Sequence, residues 1–292
     1  MTEFVYRDGY WADLAARGAF KRFLVEVHGL DLSAWESAGY WDDDHYRAYS
    51  YFDAEGRVVS SVCVYSLKMV VGGSPCRGAQ ISGVGTLPEY RRQGLNRRLT
   101  EIALEQVGPD HDFVFLFSDP DASPFYRRCG FQPLEEHFPY VEVEPRALKP
   151  GMRVLDLDVP ADRSRVERLA ALRTPVSETL GVSSPGLFMF HALYQFPDRL
   201  HDIPELDVVV ALRREGTQLT VYDVVGSSVP RFDELYPYLA SPETTEIGFY
   251  FVPDRLAIED PSWRPLPENH LFDRGEFPLR AERFVFPFTA HA

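Results

Sequence analysis

No stretch of this sequence is apolar over the length a helix needs to cross a bilayer. The N-terminus, MTEFVYRDGYWADL, lacks the apolar core and small-residue cleavage site of an export signal. A cytoplasmic protein with no membrane partner is expected. Cysteine is scarce: Cys63, Cys76 and Cys129 form no close pair and no metal-ligand spacing. That excludes a disulfide framework and predicts free thiols in a reducing compartment. The eight histidines are scattered without a zinc signature, so no metal site is expected. Positive charge is in deficit, with 30 Lys and Arg against 44 Asp and Glu and a formal net charge of −14. A phosphate backbone selects basic surfaces, so nucleic acid is not an expected partner. A cationic substrate is compatible with this charge through steering, and so is simple solubility.

Apolar material is plentiful. Hydrophobic residues make up 45% of the chain and aromatics 14%, enough for substantial cores. At 292 residues, one large or two modest domains are expected. The 23 prolines and 20 glycines predict many punctuated loops.

The first half reads as a helix over 12–30, with Gly18 a candidate break, then strands at 48–52, 58–67 and 76–85 joined by glycine-containing turns. Between helix and strands lies WESAGYWDDDHY. Trp35, Tyr40 and Trp41 are either core anchors or a cavity wall. Asp42, Asp43 and Asp44 are either an acidic loop tip or a face toward a cation, and His45 decorates that loop.

The most informative stretch is 81–131, ISGVGTLPEYRRQGLNRRLTEIALEQVGPDHDFVFLFSDPDASPFYRRCGF. A strand ends near Leu87, Pro88 fixes a turn, and a helix runs from about Gly94 to Gln106 with Leu95, Leu99, Ile102 and Ala103 as its apolar stripe. Gly94 permits a positive φ or a close backbone approach. Arg91 and Arg92 at a helix start oppose its dipole, which a bound anion would explain. Backbone N–H groups there, with the two guanidinium groups, suit a pyrophosphate. A solvated basic helix start is the plainer alternative.

The residues Arg91, Gly94 and Asn96 resemble the Q/R-x-x-G-x-G/A signature of the GCN5-related N-acetyltransferases (GNAT), with Asn96 in place of the final small residue. The run from Thr86 through Arg91-Arg92 to Gly94 also resembles the cradle of the tandem acetyltransferases grouped with the mycobacterial enhanced intracellular survival protein. The resemblance implies acetyl-CoA as cofactor. It places Arg91, Arg92, Gln93, Gly94, Leu95, Asn96 and Arg97 around the pyrophosphate, and Val84, Gly85 and Thr86 on the strand beside the acyl-pantetheine arm.

A second element follows. Phe113 to Phe117 is a short apolar strand, Ser123-Pro124 suits a helix start, and Gly130 suits its end. Phe125-Tyr126-Arg127-Arg128-Cys129-Gly130-Phe131 resembles the family's F-Y-x-x-x-G-F element. In that family the tyrosine often protonates the departing thiolate, making Tyr126 the general-acid candidate. By itself the tyrosine reads equally as a ring packed on the preceding strand. A further strand is expected at 138–143.

After a linker near 145–151, the second half reads as a strand at 152–157, a helix over 161–172, a loop or lid at 175–186 and an apolar helix at 187–194. Strands follow at 206–212 and 218–225, a helix at 232–239, and strands at 246–252 and 284–288. This order repeats the first half, but Gly226-Ser227-Ser228-Val229-Pro230 stands where a cradle would be. The expectation is an α/β fold with mixed sheets: tandem GNAT-like domains at 1–145 and 151–292, the second degenerate and completing the substrate site. Attack by an amine also needs a base, and Glu26, His28, Asp119 and the carboxylate of Ala292 are candidates. In the tandem group the terminal carboxylate fills that role. Transfer to a small-molecule or protein amine is the expected function, with a CoA-binding regulatory or sensory module as the alternative. A homo-oligomer is left open.

Overall fold

The computed structural model describes residues 4–41, 44–196, 198–266 and 270–292. The first half contributes, in chain order, β1 (Val5–Asp8), α1 (Leu14–His28), α2 (Ser33–Ser37), β2 (Tyr46–Phe52), β3 (Val58–Val71) and β4 (Ser74–Thr86). It continues with α3 (Leu95–Val107), β5 (Phe113–Phe117), α4 (Ser123–Arg128), β6 (Gln132–Pro133) and β7 (His137–Glu142). The second half contributes β8 (Arg153–Val154), α5 (Pro160–Leu172), β9 (Leu180–Ser183), α6 (Pro185–Tyr194), β10 (Leu200–Ile203) and β11 (Val208–Glu215). It ends with β12 (Gln218–Val225), α7 (Phe232–Leu239), β13 (Glu246–Phe249), β14 (Ser262–Pro265), β15 (Leu271–Arg274) and a 3-10 turn at Phe288–Ala290.

Local chemistry sets the first helices. The Asp13 side chain accepts from Ala15 N and Ala16 N and caps α1, and Gly29 ends it with φ 66. Gly18 does not break it. Phe20, Phe23 and Leu24 turn its apolar face onto one side of the first sheet. Leu99, Ala103 and Leu104 of α3 pack on the opposite side, against Val62, Val64, Ala79 and Ile81. Strand β5 is covered on both faces, as its unbroken apolar run requires.

Two sheets result. The first has the order β1-β2-β3-β4-β5-β15-β6, with β9 added to the far end of β3. The second has the order β14-β7-β13-β12-β11-β10-β8. Each is antiparallel except for one central parallel pair, β4 with β5 in the first sheet and β12 with β13 in the second. A parallel pair needs a crossover, and α3 and α7 lie within the two crossovers. Beyond each parallel pair stands a strand from the other half: β15 beside β5, and β7 beside β13. The two halves share this order and trade strands: β9 and β15 of the second half join the first sheet, and β7 of the first half joins the second.

Two sequence expectations differ from the structure. The 175–186 segment is no free loop, because β9 within it pairs with Lys68 to Val71 of β3. The 284–288 segment is not a strand, and β15 supplies the late strand instead. Its backbone bonds are scattered, from His137 N to Phe284 O, from Phe286 N to the Glu136 side chain and from Phe288 N to Tyr250 O. Phe284 and Phe286 are both 0% exposed, and burying each ring contributes on the order of 2–3 kcal/mol to holding this tail. Strands β1, β10 and β14 carried no expectation.

Candidate active site

The parallel rungs between β4 and β5 stop at Ile81 and Leu116. Past that point β5 turns to its other neighbour, with Ser118 N donating to His270 O. Strand β4 runs on to Thr86 and bulges: Ser61 faces Gly85 and Cys63 faces Ser82, so Gly83 and Val84 together oppose Val62. Gly83 has φ 53, a left-handed geometry suited to glycine. The two parallel strands therefore part, and the bulged stretch of β4 forms one side of the opening.

Val84, Gly85 and Thr86 line a cavity of about 520 Å³ on one side of that stretch. Arg91, Arg92, Gln93, Gly94, Leu95, Asn96 and Arg97 line the same cavity, with Arg128 and Cys129 opposite. Helix α3 begins after Gly94 (φ 77) with no side-chain cap and no acid in its first turn. Arg91 and Arg92 have no carboxylate partner among the described residues, and both are exposed. Uncapped N–H groups beside guanidinium groups that no carboxylate neutralises among the described residues fit a phosphate-bearing ligand. Asn96 lies within hydrogen-bond distance of Ser60 Oγ (2.6 Å) and Thr86 Oγ1 (2.9 Å), tying the helix start to the ends of β3 and β4.

Ser82 and Gly83, two residues back along β4, line a different cavity of about 430 Å³. Its walls are Leu24 and His28 of α1, Trp35 of α2, Tyr46 and Tyr65, and Leu187, Phe190, His191 and Gln195 around α6. Phe288, His291 and Ala292 close it. Trp35 Nε1 donates to Gly186 O at 2.7 Å, joining the halves across this cavity. Gln80 Nε2 donates to the Ala292 oxygen at 3.2 Å, and His191 Nε2 lies 2.7 Å from the His291 carbonyl. Burial holds both histidines neutral, pushing His191 down to about 4 and His291, further opposed by His191, to about 3. Desolvation lowers the His28 pKa below its ordinary value, against the opposing pull of Asp119 and the Gly83 carbonyl.

Among the described residues no Asp or Glu side chain lines this cavity. Trp35 is part of its wall, whereas Trp41 is buried against Phe20 and Tyr40 donates to Glu167. Asp44 is exposed, and Asp42 and Asp43 lie outside the described residues. Glu26 is exposed and lines neither cavity. Asp119 lines an adjoining space of about 520 Å³ with Glu136 and His270, which shares Phe288 and His291 with the aromatic cavity. Tyr126 is 7% exposed, in the core beneath α3, and is not among the residues lining the two cavities. Its hydroxyl has no hydrogen-bond partner among the described residues, and burial raises its pKa. The α6 residues carried no site expectation. Their one signal is LFMFHALY, apolar all round, as a helix covered on more than one side must be.

The parallel pair parts between an anion cradle on one side and an aromatic cavity on the other. Residues 20–134 match the family model described as "Acetyltransferase (GNAT) domain", and the chain as a whole resembles the Eis group in fold. Three solved structures are similar over 92% of this chain. One is an Enterococcus faecalis V583 protein described as a probable N-acyltransferase, with 14% identity, 72% of that chain covered and a TM-score of 0.58. Another is Eis1 from Mycobacterium abscessus, at 18%, 73% and 0.55. The third is a GCN5-related N-acetyltransferase from Anabaena variabilis, at 12%, 72% and 0.53. No curated protein matches the chain by sequence.

Proposed function

We propose that the protein transfers an acetyl group from acetyl-CoA to a primary amine, by direct attack in a ternary complex. One observation carries this reading: consecutive residues of the β4 bulge line the two cavities, Val84 to Thr86 the cradle and Ser82 and Gly83 the aromatic one. A thioester at the bulge and an amine in the aromatic cavity would meet there.

Acetyl-CoA supplies an activated acyl group when bound. Gln93 to Arg97 bind its phosphates through backbone N–H groups, with Arg91 and Arg92 adding charge. Backbone N–H groups of the bulge, released from β5, polarise the acyl carbonyl. The aromatic walls exclude water and hold an amine in its neutral, nucleophilic form, since a desolvated ammonium loses its proton readily. Where Ala292 carries a free carboxylate, that group, held by Gln80, would accept the proton, and His28 stands in the same wall. On the family resemblance we assign protonation of the leaving thiolate to Tyr126, whose ring lies in the core and lines neither cavity.

The test is a screen of small amines and lysine peptides with acetyl-CoA, reading free thiol. Amine-dependent release is expected. Tight CoA binding with no release over any amine would favour a binding module, a reading that draws on the position of Tyr126 outside both cavities. Residues appended after Ala292 convert its carboxylate to an amide, and the same assay is then expected to lose turnover with CoA affinity retained.

A further inference from the structure

The second sheet has its own parted strands. Its parallel rungs between β12 and β13 stop at Val221 and Phe249, with one more bond from Tyr250 N to Val221 O. Strand β12 bulges as β4 does: Ala211 faces Asp223 and Leu212 faces Val221, leaving Tyr222 as the extra residue. In the first sheet this place opens onto both cavities. In the second sheet it holds the chain's own C-terminal turn, Phe288–Ala290.

The turn is bonded to both parted strands. Phe288 N donates to Tyr250 O at 3.2 Å on the β13 side. Thr289 Oγ1 donates to Asp223 Oδ2 on the β12 side. The Phe288 ring packs on both Tyr222 and Tyr250, at 5.3 and 5.5 Å between centroids. Asp223 is 0% exposed and is itself held by Arg173 at 2.8 Å and by its neighbour Val224 N. Burying a carboxylate needs paired donors, and the Thr289 hydroxyl is one of three found here. From this anchor the chain runs on through His291 and Ala292, and both line the aromatic cavity of the first half.

We infer that Asp223 and Thr289 are positioning residues for the proposed transfer: they seat the C-terminal turn in the cleft of the second sheet and so fix where His291 and Ala292 enter the acceptor cavity. The degenerate half is then a socket for the tail. The kinetic part of this inference rests on the acetyltransferase reading above; the seating of the turn does not.

Thr289→Val removes only the hydroxyl and keeps the side-chain volume, and Thr289→Ser keeps the hydroxyl. Two measurements separate the possibilities. Hydrogen exchange of the amides from Phe286 to His291 reports seating without any substrate. Steady-state kinetics with an amine from the screen, alongside CoA titration, report its consequence. Losing a hydrogen bond to a buried carboxylate corresponds to about tenfold or more in the opening equilibrium. Thr289→Val is expected to speed exchange of those amides by that factor and to lower kcat with CoA affinity unchanged. Thr289→Ser is expected to restore both. Wild-type exchange in Thr289→Val would overturn the anchor. Faster exchange with wild-type kcat and KM would overturn the positioning role. If the wild-type protein acetylates no amine, the functional reading fails, while the exchange result still decides whether Asp223 seats the turn.

Discussion

Asn96 sits 2.6 Å from Ser60 Oγ, and Ser60 is 0% exposed. The residue that departs from the family signature thus ties the cradle helix to the strand behind it, with Thr86 Oγ1 as a third member. A small residue would give the ligand slightly closer backbone approach but would strip two hydroxyls of a partner. Asn96→Ala is expected to lower stability by about 1–2 kcal/mol. Urea unfolding measures this, and an unchanged midpoint would mean that water or the Gly85 carbonyl replaces the amide.

Arg92 has φ 63, a left-handed conformation that a residue with a Cβ adopts at a cost. The exposed loop gains nothing evident from it in the free protein. Arg92→Gly is expected to raise the stability of the free protein by about 1 kcal/mol while weakening CoA binding. Arg92→Ala keeps the strain and loses the charge, so it should weaken binding without the gain. Calorimetric titration with CoA and thermal unfolding separate the two effects. Equal stability of the two variants would show that the strain is absorbed elsewhere.

The cradle was legible because it is local. Arg91 to Arg97 and the neighbouring Val84 to Thr86 are nearly continuous in sequence, so the turn, the glycine and the basic pair could be read together. The aromatic cavity was legible only in scattered members, Trp35, His28 and Ala292, because what brings them together is tertiary: Trp35 meets Gly186, and His191 meets His291. The strand exchange was hidden for the same reason: β7 was expected as a strand at 138–143, but not in the second sheet, and β15 at 271–274 carried no expectation. The tail was misread for a physical reason. Phe284 to Phe288 alternates as a strand would, but Pro287 lacks an N–H and the Phe286 and Phe288 amides go to Glu136 and Tyr250.

Glu136 is 3% exposed, and burial raises its pKa to about 7, against the Phe286 N–H that favours the charged form. The unfolded chain ionises this group near its ordinary value of 4.5. Stability from the neutral form is therefore complete below 4.5 and is lost as pH rises through 7. Glu136→Gln can still accept from Phe286 and never ionises. It should match the wild type near pH 4 and exceed it above pH 7.5 by on the order of 3 kcal/mol. His191 and His291 act oppositely, because their folded values of about 4 and 3 lie below the unfolded 6.5. Their contribution is complete above 6.5 and is lost as pH falls toward those values. Unfolding curves at several pH values measure both slopes.

Gly83 is the bulge residue facing the aromatic cavity. A Cβ there would meet Cys63 Sγ at 3.0 Å and Tyr46 Oη at 3.3 Å, in a backbone with φ +53. Both neighbours are buried, so neither moves freely. Gly83→Ala is expected to cost about 1–2 kcal/mol of stability and to impair the amine side more than the CoA side. A raised amine KM or lowered kcat with unchanged CoA affinity is the expected pattern. Weakened CoA binding would place the bulge's main role on the cradle side.

Tyr126 tests the chemistry most directly. Its ring packs with Phe125 and Phe131, and a phenylalanine ring would pack there equally well. The hydroxyl has no partner to lose among the described residues, so Tyr126→Phe should leave stability within about 0.5 kcal/mol. Burial raises its pKa above the ordinary 10, so the group stays protonated through any neutral or mildly alkaline assay. An acid that is always protonated contributes no falling limb to the rate profile below that range. If it protonates the leaving thiolate, kcat should fall by about 100-fold or more in Tyr126→Phe, with little change in CoA affinity. The loss should shrink for acyl donors whose thiol is more acidic, because a better leaving group needs the proton less. A wild-type kcat in Tyr126→Phe would make the ring structural and leave solvent as the proton donor. Loss of kcat together with stability would instead mean that the hydroxyl holds the core, contrary to its unbonded state.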